Sequence, residues 1–438
     1  MIKNKVLCGL ITVAVAGIAR AQPPEQTILE RIPVAKVWPA TPVLFASEVT
    51  GDQQFICFYD ADRMMTAAQR ELGSDEWTFK KLPSTLGWDS HNYIAMTLDE
   101  DGTIHISGNM HVVPLVYFRS TKPYDVTSLV PVHRMTGEKE DRVTYPKFLR
   151  GAGGELIFTY RDGSSGKGDQ IYNIYDLKTR TWSRLLDRPL TDGEGKMNAY
   201  FHGPVLGPDG WFHMTWVWRD TIDCETNHDL SHARSKDLVH WETMDGTPIQ
   251  LPIRLNTPGV IVDPVPVKHG LLNGNGMVGF DSQNRVVLAY HKFDADGNTQ
   301  LYNARYENGA WKIHQTSDWN YRWYFSGGGS INNDIRITPV KLIDGRLTQK
   351  FSHKKEGSKT WVLDETTLKP VGTMELPPFP EEIRKVRSSF PDMKVKILPD
   401  QADPSFLLRW EVLPRHRDAP RPKPWPEPVM LEVYKLDD

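Results

Sequence analysis

Short runs of alternating apolar and polar residues recur along most of the chain, divided by Asp-Gly, Gly-Gly and similar pairs. "QQFICFYDADRMMTAAQRELGSDEWTFKKL", from Gln53 to Leu82, is representative. A period of two is the pattern of half-buried strands, and those pairs supply tight hairpin turns. The pattern returns every 50–60 residues or so as strand, turn, strand, a third strand and a Trp-bearing fourth. Six units begin near Gln53, Ser90, Tyr145, Phe201, Gly276 and Ile335, and a seventh, less regular one ends the chain. "RIPVAKVW", Arg31–Trp38, is placed to add a strand to that last unit. The only helix candidate is Ile383–Arg387. The pattern predicts an all-β fold, a seven-bladed β-propeller of four-stranded antiparallel blades. No Pro/Ser-rich linker divides it, so residues 22–438 read as one domain.

The first residues follow another pattern. Lys3 and Lys5 precede the mostly apolar stretch Val6–Ile18, and Ala19-Arg20-Ala21 fits a small-x-small cleavage site. Residues 1–21 therefore read as a signal peptide, and the mature chain as periplasmic or secreted. Removing Lys3, Lys5 and Arg20 takes three positive charges from a formal −3, leaving −6. A mildly acidic chain without basic runs is a poor nucleic-acid binder, and no later segment is long and apolar enough to insert in a membrane. It is read as a monomer. Cys57 and Cys224 remain after processing, enough for one disulfide but not a framework.

The chemistry gathers at the ends of the predicted hairpins. "SHNYIAMTLDEDGTIHISGNMH" carries His91, His105 and His111. A hairpin turning at Asp99–Gly102 brings its far ends together, with His91 before the first strand and His111 ending the second. His105, between Ile104 and Ile106, reads as structural. In the next unit Tyr145 and Arg161 meet across the Gly151–Gly154 turn. One unit further, Tyr200 and His202 face Arg219 across Gly207–Gly210, and Arg336 follows the glycine loop of the sixth unit. Each arginine alone reads as a surface ion pair, but the recurrence argues for a site. Glycoside hydrolysis usually needs two acids, and none is paired at these ends. β-Elimination from a uronic acid fits better. Arginines hold the carboxylate and the enolate-like charge, a His or Tyr takes the weakly acidic C5 proton, and a second group protonates the departing O4. Which of His91, His111 and Tyr145 is base and which acid stays open.

"SHNYIAMTLDEDGTIHISGNMHVVPLVYFRS" and "NHDLSHARSKDLVHWE" resemble the secreted BNR-4 type seven-bladed propellers, a group holding ulvan lyases, L-rhamnose-α-1,4-D-glucuronate lyases and α-L-rhamnosidases of arabinogalactan breakdown. The resemblance covers nearly the whole mature chain, most strongly Trp88–Trp241 and weakly after about Pro377. It implies His91, His111 and Tyr145 as catalytic residues, with Arg161, Arg219, Arg336 and, more weakly, Tyr200 on the substrate. The rhamnosidases are implied to use one histidine of the first blade on the opposite face. No histidine lies between Gln22 and Ser90, which counts against that mechanism. The implied partner is an acidic rhamnose- and glucuronate-containing glycan, arabinogalactan-like or ulvan-like. The alternatives are an α-L-rhamnosidase on the same linkage and a non-catalytic carbohydrate-binding propeller.

The chemistry requires no cofactor. A structural zinc or calcium ion is considered at Cys224 and His228, completed by Asp223 or His213, since relatives of this type carry structural metal; hydrogen-bonded core is the other reading. Trp218, Trp323 and Tyr324 are candidate sugar platforms or core. "SGGGS", Ser326–Ser330, reads as a flexible loop near the axis, not a phosphate loop. Met64 and Met65 read as packing, and Arg415–Pro428 as an extended Pro-rich loop of the last blade.

Overall fold

The computed structural model describes residues 25–274 and 276–437. The proposed leader, residues 1–21, lies outside the described residues. Among these, the chain forms seven antiparallel sheets of four or five strands. In chain order they occupy residues 46–85, 94–131, 143–184, 198–263, 277–315, 335–373 and 394–436. Ile28–Val37 joins the last sheet, antiparallel to Val429–Leu436. The helix is one turn, Glu381–Arg384, rather than Ile383–Arg387. Pro380 lacks an N–H and precedes the turn, its carbonyl accepts from Ile383 and Arg384, and Lys385 is already extended.

One turn chemistry recurs. Asp60, Asp99, Asp281 and Asp294 each accept, on Oδ1, the amides two and four residues on. The residue three positions on is left-handed in each: Arg63, Gly102, Asn284 and Gly297. An aspartate that bonds its own turn offers the backbone a local alternative to a ladder. This is why Asp-x-Asp-Gly stretches end strands here.

Burial shows how the sheets stack. Ile104–Gly108, Phe212–Arg219 and Phe406–Val412 are buried along their whole length. The outer strand Ala310–Gln315 has no fully buried residue. Middle strands are thus covered on both faces by neighbouring sheets, while outer strands meet water. Trp216, Trp218 and Trp410 lie in these interfaces, at most 1% exposed, and burying such a side chain contributes roughly 1.5–3 kcal/mol or more. Met65 is also fully buried.

Polar contacts join consecutive sheets: Leu98 N–H donates to Glu48, Lys147 to Gly203 O, Val278 N–H to His202 Nδ1, and Asn303 to Gln349. Asn332 bonds Arg415, joining sixth to seventh. Ser47 and Val49 N–H donate to Asp400, joining first to last.

Candidate active site

The hairpin Ile94–Leu98 and Ile104–Gly108 pairs Ile94 with Gly108. Both flanking histidines therefore leave the same end of it. The second strand stops at Gly108, not at His111 as the alternation suggested. Asn109 and Val112 are left-handed (φ 59° and 60°), which breaks the ladder. His111–Val113 crosses over and pairs with Val143–Arg150 of the third sheet, His111 opposite Thr144. His91 sits on a turn in which Asp89 accepts its N–H at 2.8 Å. The two imidazole centroids end 4.4 Å apart.

Asp89, missed by the sequence reading, ties them together. His91 Nδ1 lies 2.7 Å from its Oδ1, and His111 Nδ1 2.5 Å from its Oδ2. Burial alone would raise this carboxyl, but the bonds and charges of His111 and His91 outweigh it and hold it well below the carboxylate range. An ionised Asp89 accepts from both Nδ1 atoms, so each neutral ring carries its proton there and keeps its lone pair on Nε2. Neither Nε2 has a hydrogen bond among the described residues. A second carboxylate, Asp418 of the Pro-rich stretch, comes within 3.4 Å of His91 Nδ1. It accepts from the amide and hydroxyl of both Ser90 and Ser330. Burial again opposes, but those bonds and His91 hold its carboxyl below its usual range. The expectation that no acids pair at this end is thus corrected. The aspartate two residues before His91 was visible in sequence; the partnership with Asp418, 328 residues from Ser90, was not.

Tyr145 lies at a bulge between Thr144 and Lys147, with φ 58°. Left-handed backbone is costly for a bulky residue, and it turns the ring toward its neighbours. Tyr145 stands edge-on to His91 at 5.8 Å and to Tyr200 at 6.1 Å. The Arg161 guanidinium lies 4.8 Å from the Tyr145 ring and 5.8 Å from that of Tyr200, and Arg219 5.4 Å from Tyr200. Tyr200 OH bonds Ser165 at 2.7 Å and receives a long bond from Arg161 at 3.4 Å. Burial, then Tyr200, pushes the Tyr145 phenol above its usual range against the pull of Arg161 and Arg219, so it keeps its proton near neutrality. Arg161 is 2% exposed, and its Nε and Nη2 are buried without a hydrogen-bond partner. Two unmatched donors on one planar guanidinium fit the two oxygens of a carboxylate.

Five sequence-predicted residues therefore converge through direct ring, guanidinium or hydrogen-bond contacts: His91, His111, Tyr145, Arg161 and Tyr200. Arg219 joins through Tyr200 while bonding Thr221 O and Asn273. Arg336 does not touch this group. Its charge acts instead on Lys396 and Arg415. His202, predicted beside Tyr200, faces the fifth sheet through Val278 N–H.

His105 is structural, fully buried between Tyr117 OH (2.7 Å) and Asp99 (3.2 Å). Trp218 is core, whereas Trp323 is 3% and Tyr324 79% exposed. Cys57 and Cys224 are buried and unlinked, each in a different sheet region. The Cys224–His228 metal set does not form. His228 bonds Asp229 and Asp220 through its two ring nitrogens, and His213 bonds Asp209 and His232. Among the described residues the metal-capable side chains cluster only at Asp89, His91 and His111. The Ser326–Ser330 loop is pinned rather than loose, through Asp223, Arg417 and Asp418. No helix of the described residues is long and apolar enough to cross a membrane.

Residues 53–319 match the BNR repeat-containing family. The short isoform of ulvan lyase from Alteromonas sp. (strain LOR) is 26% identical over 149 residues, which is 30% of this chain and 28% of that relative's own length. A solved PL25 ulvan lyase superposes with a TM-score of 0.62 over 93% of this chain and 96% of its own, at 14% identity. A second structure of a PL25 ulvan lyase, bound to -[GlcA(1-4)Rha3S]-, gives 0.58 over 93% and 96%, at 13% identity. The all-β architecture is therefore the propeller fold of these lyases.

Proposed function

The chain belongs to the BNR repeat-containing family, and on that premise we propose that it is a polysaccharide lyase that cleaves α-L-rhamnose-(1→4)-D-glucuronate linkages by β-elimination. The observation that carries this is Asp89 bonding both His91 and His111 through Nδ1, with both Nε2 atoms unbonded. The uronate carboxylate lies against Arg161, whose two unmatched donors it satisfies, with Arg219 adding positive charge. That charge stabilises the enolate-like intermediate as C5 loses its proton. The histidine pair takes the C5 proton on an Nε2, and Asp89 stabilises the imidazolium formed. The C4–O4 bond breaks, and Tyr145, which holds its phenolic proton, supplies it to O4. Electrons from the C5–H bond become the C4–C5 double bond of an unsaturated uronate, and the rhamnosyl side leaves as an alcohol. No metal or cofactor takes part in this scheme.

The carboxylates support elimination over hydrolysis. Asp89 and Asp418 are both held below their ordinary range, whereas a glycosidase acid must be protonated. The seven sheets, joined first to last through Asp400, Ser47 and Val49, fit seven blades of one closed domain. The leader pattern supports a periplasmic or secreted place of action on an acidic glycan. Incubation with a rhamnose-capped glucuronate oligosaccharide tests the reading by mass spectrometry. Elimination gives fragments whose masses sum to the substrate. Fragments that gain one water identify an α-L-rhamnosidase, and binding without turnover identifies a carbohydrate-binding propeller.

A further inference from the structure

Beyond the histidine cluster lies a cavity of about 390 Å³, lined by Trp323, Tyr324, Ile331, Asn332, Arg415 and Arg417 among others. It adjoins the site through one carboxylate. Ser330, also in its wall, donates its amide (2.6 Å) and hydroxyl (2.7 Å) to Asp418, which stands 3.4 Å from His91 Nδ1. The wall is pre-ordered. Arg415 exchanges bonds with Asn332 at 3.2 Å and donates Nη1 to Ile331 O at 3.1 Å, while Arg417 donates to Ser326 O and Gly328 O. Arg417 and Asp418 are consecutive left-handed residues, φ 54° and 60°, and such strain persists only where the surroundings fix it.

The wall carries Arg415 and Arg417, with the Asp418 carboxylate acting on Arg415. Arg336 and Lys396 act on Arg415 by charge from outside the lining, and neither side chain makes a hydrogen bond or salt bridge among the described residues. Asp334, the acid lining the cavity, is already taken by Tyr321 OH (2.5 Å) and Lys354 (3.3 Å). Burial, then Arg336 and Arg415, holds the Lys396 ammonium below its usual range. Four cations against Asp418 and an already engaged Asp334 favour an incoming anion. Beside them Tyr324 leaves 79% of its surface open, its cation–π neighbour being Arg322 at 5.1 Å. An open aromatic face next to cations matches a sugar ring bearing an acidic group.

We propose that this cavity is a second anion subsite, separate from Arg161, where Tyr324 stacks on a sugar and Arg415 and Arg417 hold the next acidic group of the polysaccharide, with the charges of Lys396 and Arg336 acting on Arg415. That group is a uronate carboxylate or a sulfate ester. The inference rests on the lyase reading for its ligand class, not for its geometry.

Calorimetry on the His111→Ala protein tests it, with one ligand holding a single uronate and a longer one holding several acidic groups. Tyr324→Ala and Arg415→Gln, each added to His111→Ala, are expected to weaken the longer ligand about tenfold and the shorter one much less. Desulfating the longer ligand assigns the group: an Arg415 effect that vanishes indicates sulfate, and one that persists indicates carboxylate. Equal losses for both ligands, or none for either, overturn the subsite. If the wild type eliminates nothing but the length-dependent loss holds, the lyase reading falls and the subsite stands.

Discussion

One hairpin and the residues flanking it carry two kinds of histidine–aspartate pairing, and they differ in a single free atom. His105 is fully buried, with Asp99 on Nε2 and Tyr117 on Nδ1. Burial lowers its proton affinity, only partly countered by Asp99. His91 and His111 are about a quarter exposed, share Asp89 through Nδ1, and leave Nε2 open. A histidine with both nitrogens occupied fixes structure, while one with a single anchored nitrogen is oriented to exchange a proton. Residue type and an aspartate partner do not separate the two roles; the second nitrogen does.

The largest effect should come from breaking the open pair. His111→Ala is expected to cut kcat about a thousandfold, within the usual span of acid–base contributions. His105→Ala should instead leave kcat per folded molecule unchanged and lower stability by about 2 kcal/mol or more, through loss of buried hydrogen bonds. Denaturant titration beside active-site-normalised kinetics separates these outcomes. Asp89→Asn should lower kcat about a hundredfold with little change in unfolding midpoint, because an amide oxygen cannot serve both Nδ1–H groups as an ionised carboxylate does. The matching Asp99→Asn should show the reverse, a lower midpoint with kcat kept. Arg161→Ala should raise KM and lower kcat together, each about tenfold, since its charge serves both bound uronate and the developing enolate.

The smallest effect is on stability against pH. His202 is held at about 4 by burial and then Lys147. The unfolded chain takes up that proton first, near the ordinary histidine range. Its contribution to stability is therefore complete above about pH 6.5 and falls toward pH 4, by at most ~1.4 kcal/mol per pH unit for one group. His202→Gln, which can still accept the Val278 amide, should flatten that part of the curve in thermal melts.

Strand alternation and Asp-Gly turns made the sheets legible, because each sheet closes its own short-range ladders. The hairpin geometry likewise brought His91 toward His111 and Tyr145 toward Arg161 in advance. What stayed hidden depends on departures from the ladder and on long loops. The left-handed Asn109 that sends His111 to the next sheet looks like any polar residue. The Pro-rich stretch reads as an extended loop of the last blade, yet its Asp418 reaches His91. Arg336 was grouped with Arg161 by its position in a repeat, but its sheet points it at Lys396 and Arg415.

The central claim is that the His91–His111 pair removes a C5 proton. Its most direct test compares substrate carrying hydrogen or deuterium at C5. The account predicts a primary isotope effect on kcat/KM and an unsaturated product from the wild type, with neither from a folded His91→Ala/His111→Ala double variant. An unsaturated product formed at wild-type rate by that variant, or a hydrated product formed without an isotope effect, would contradict it.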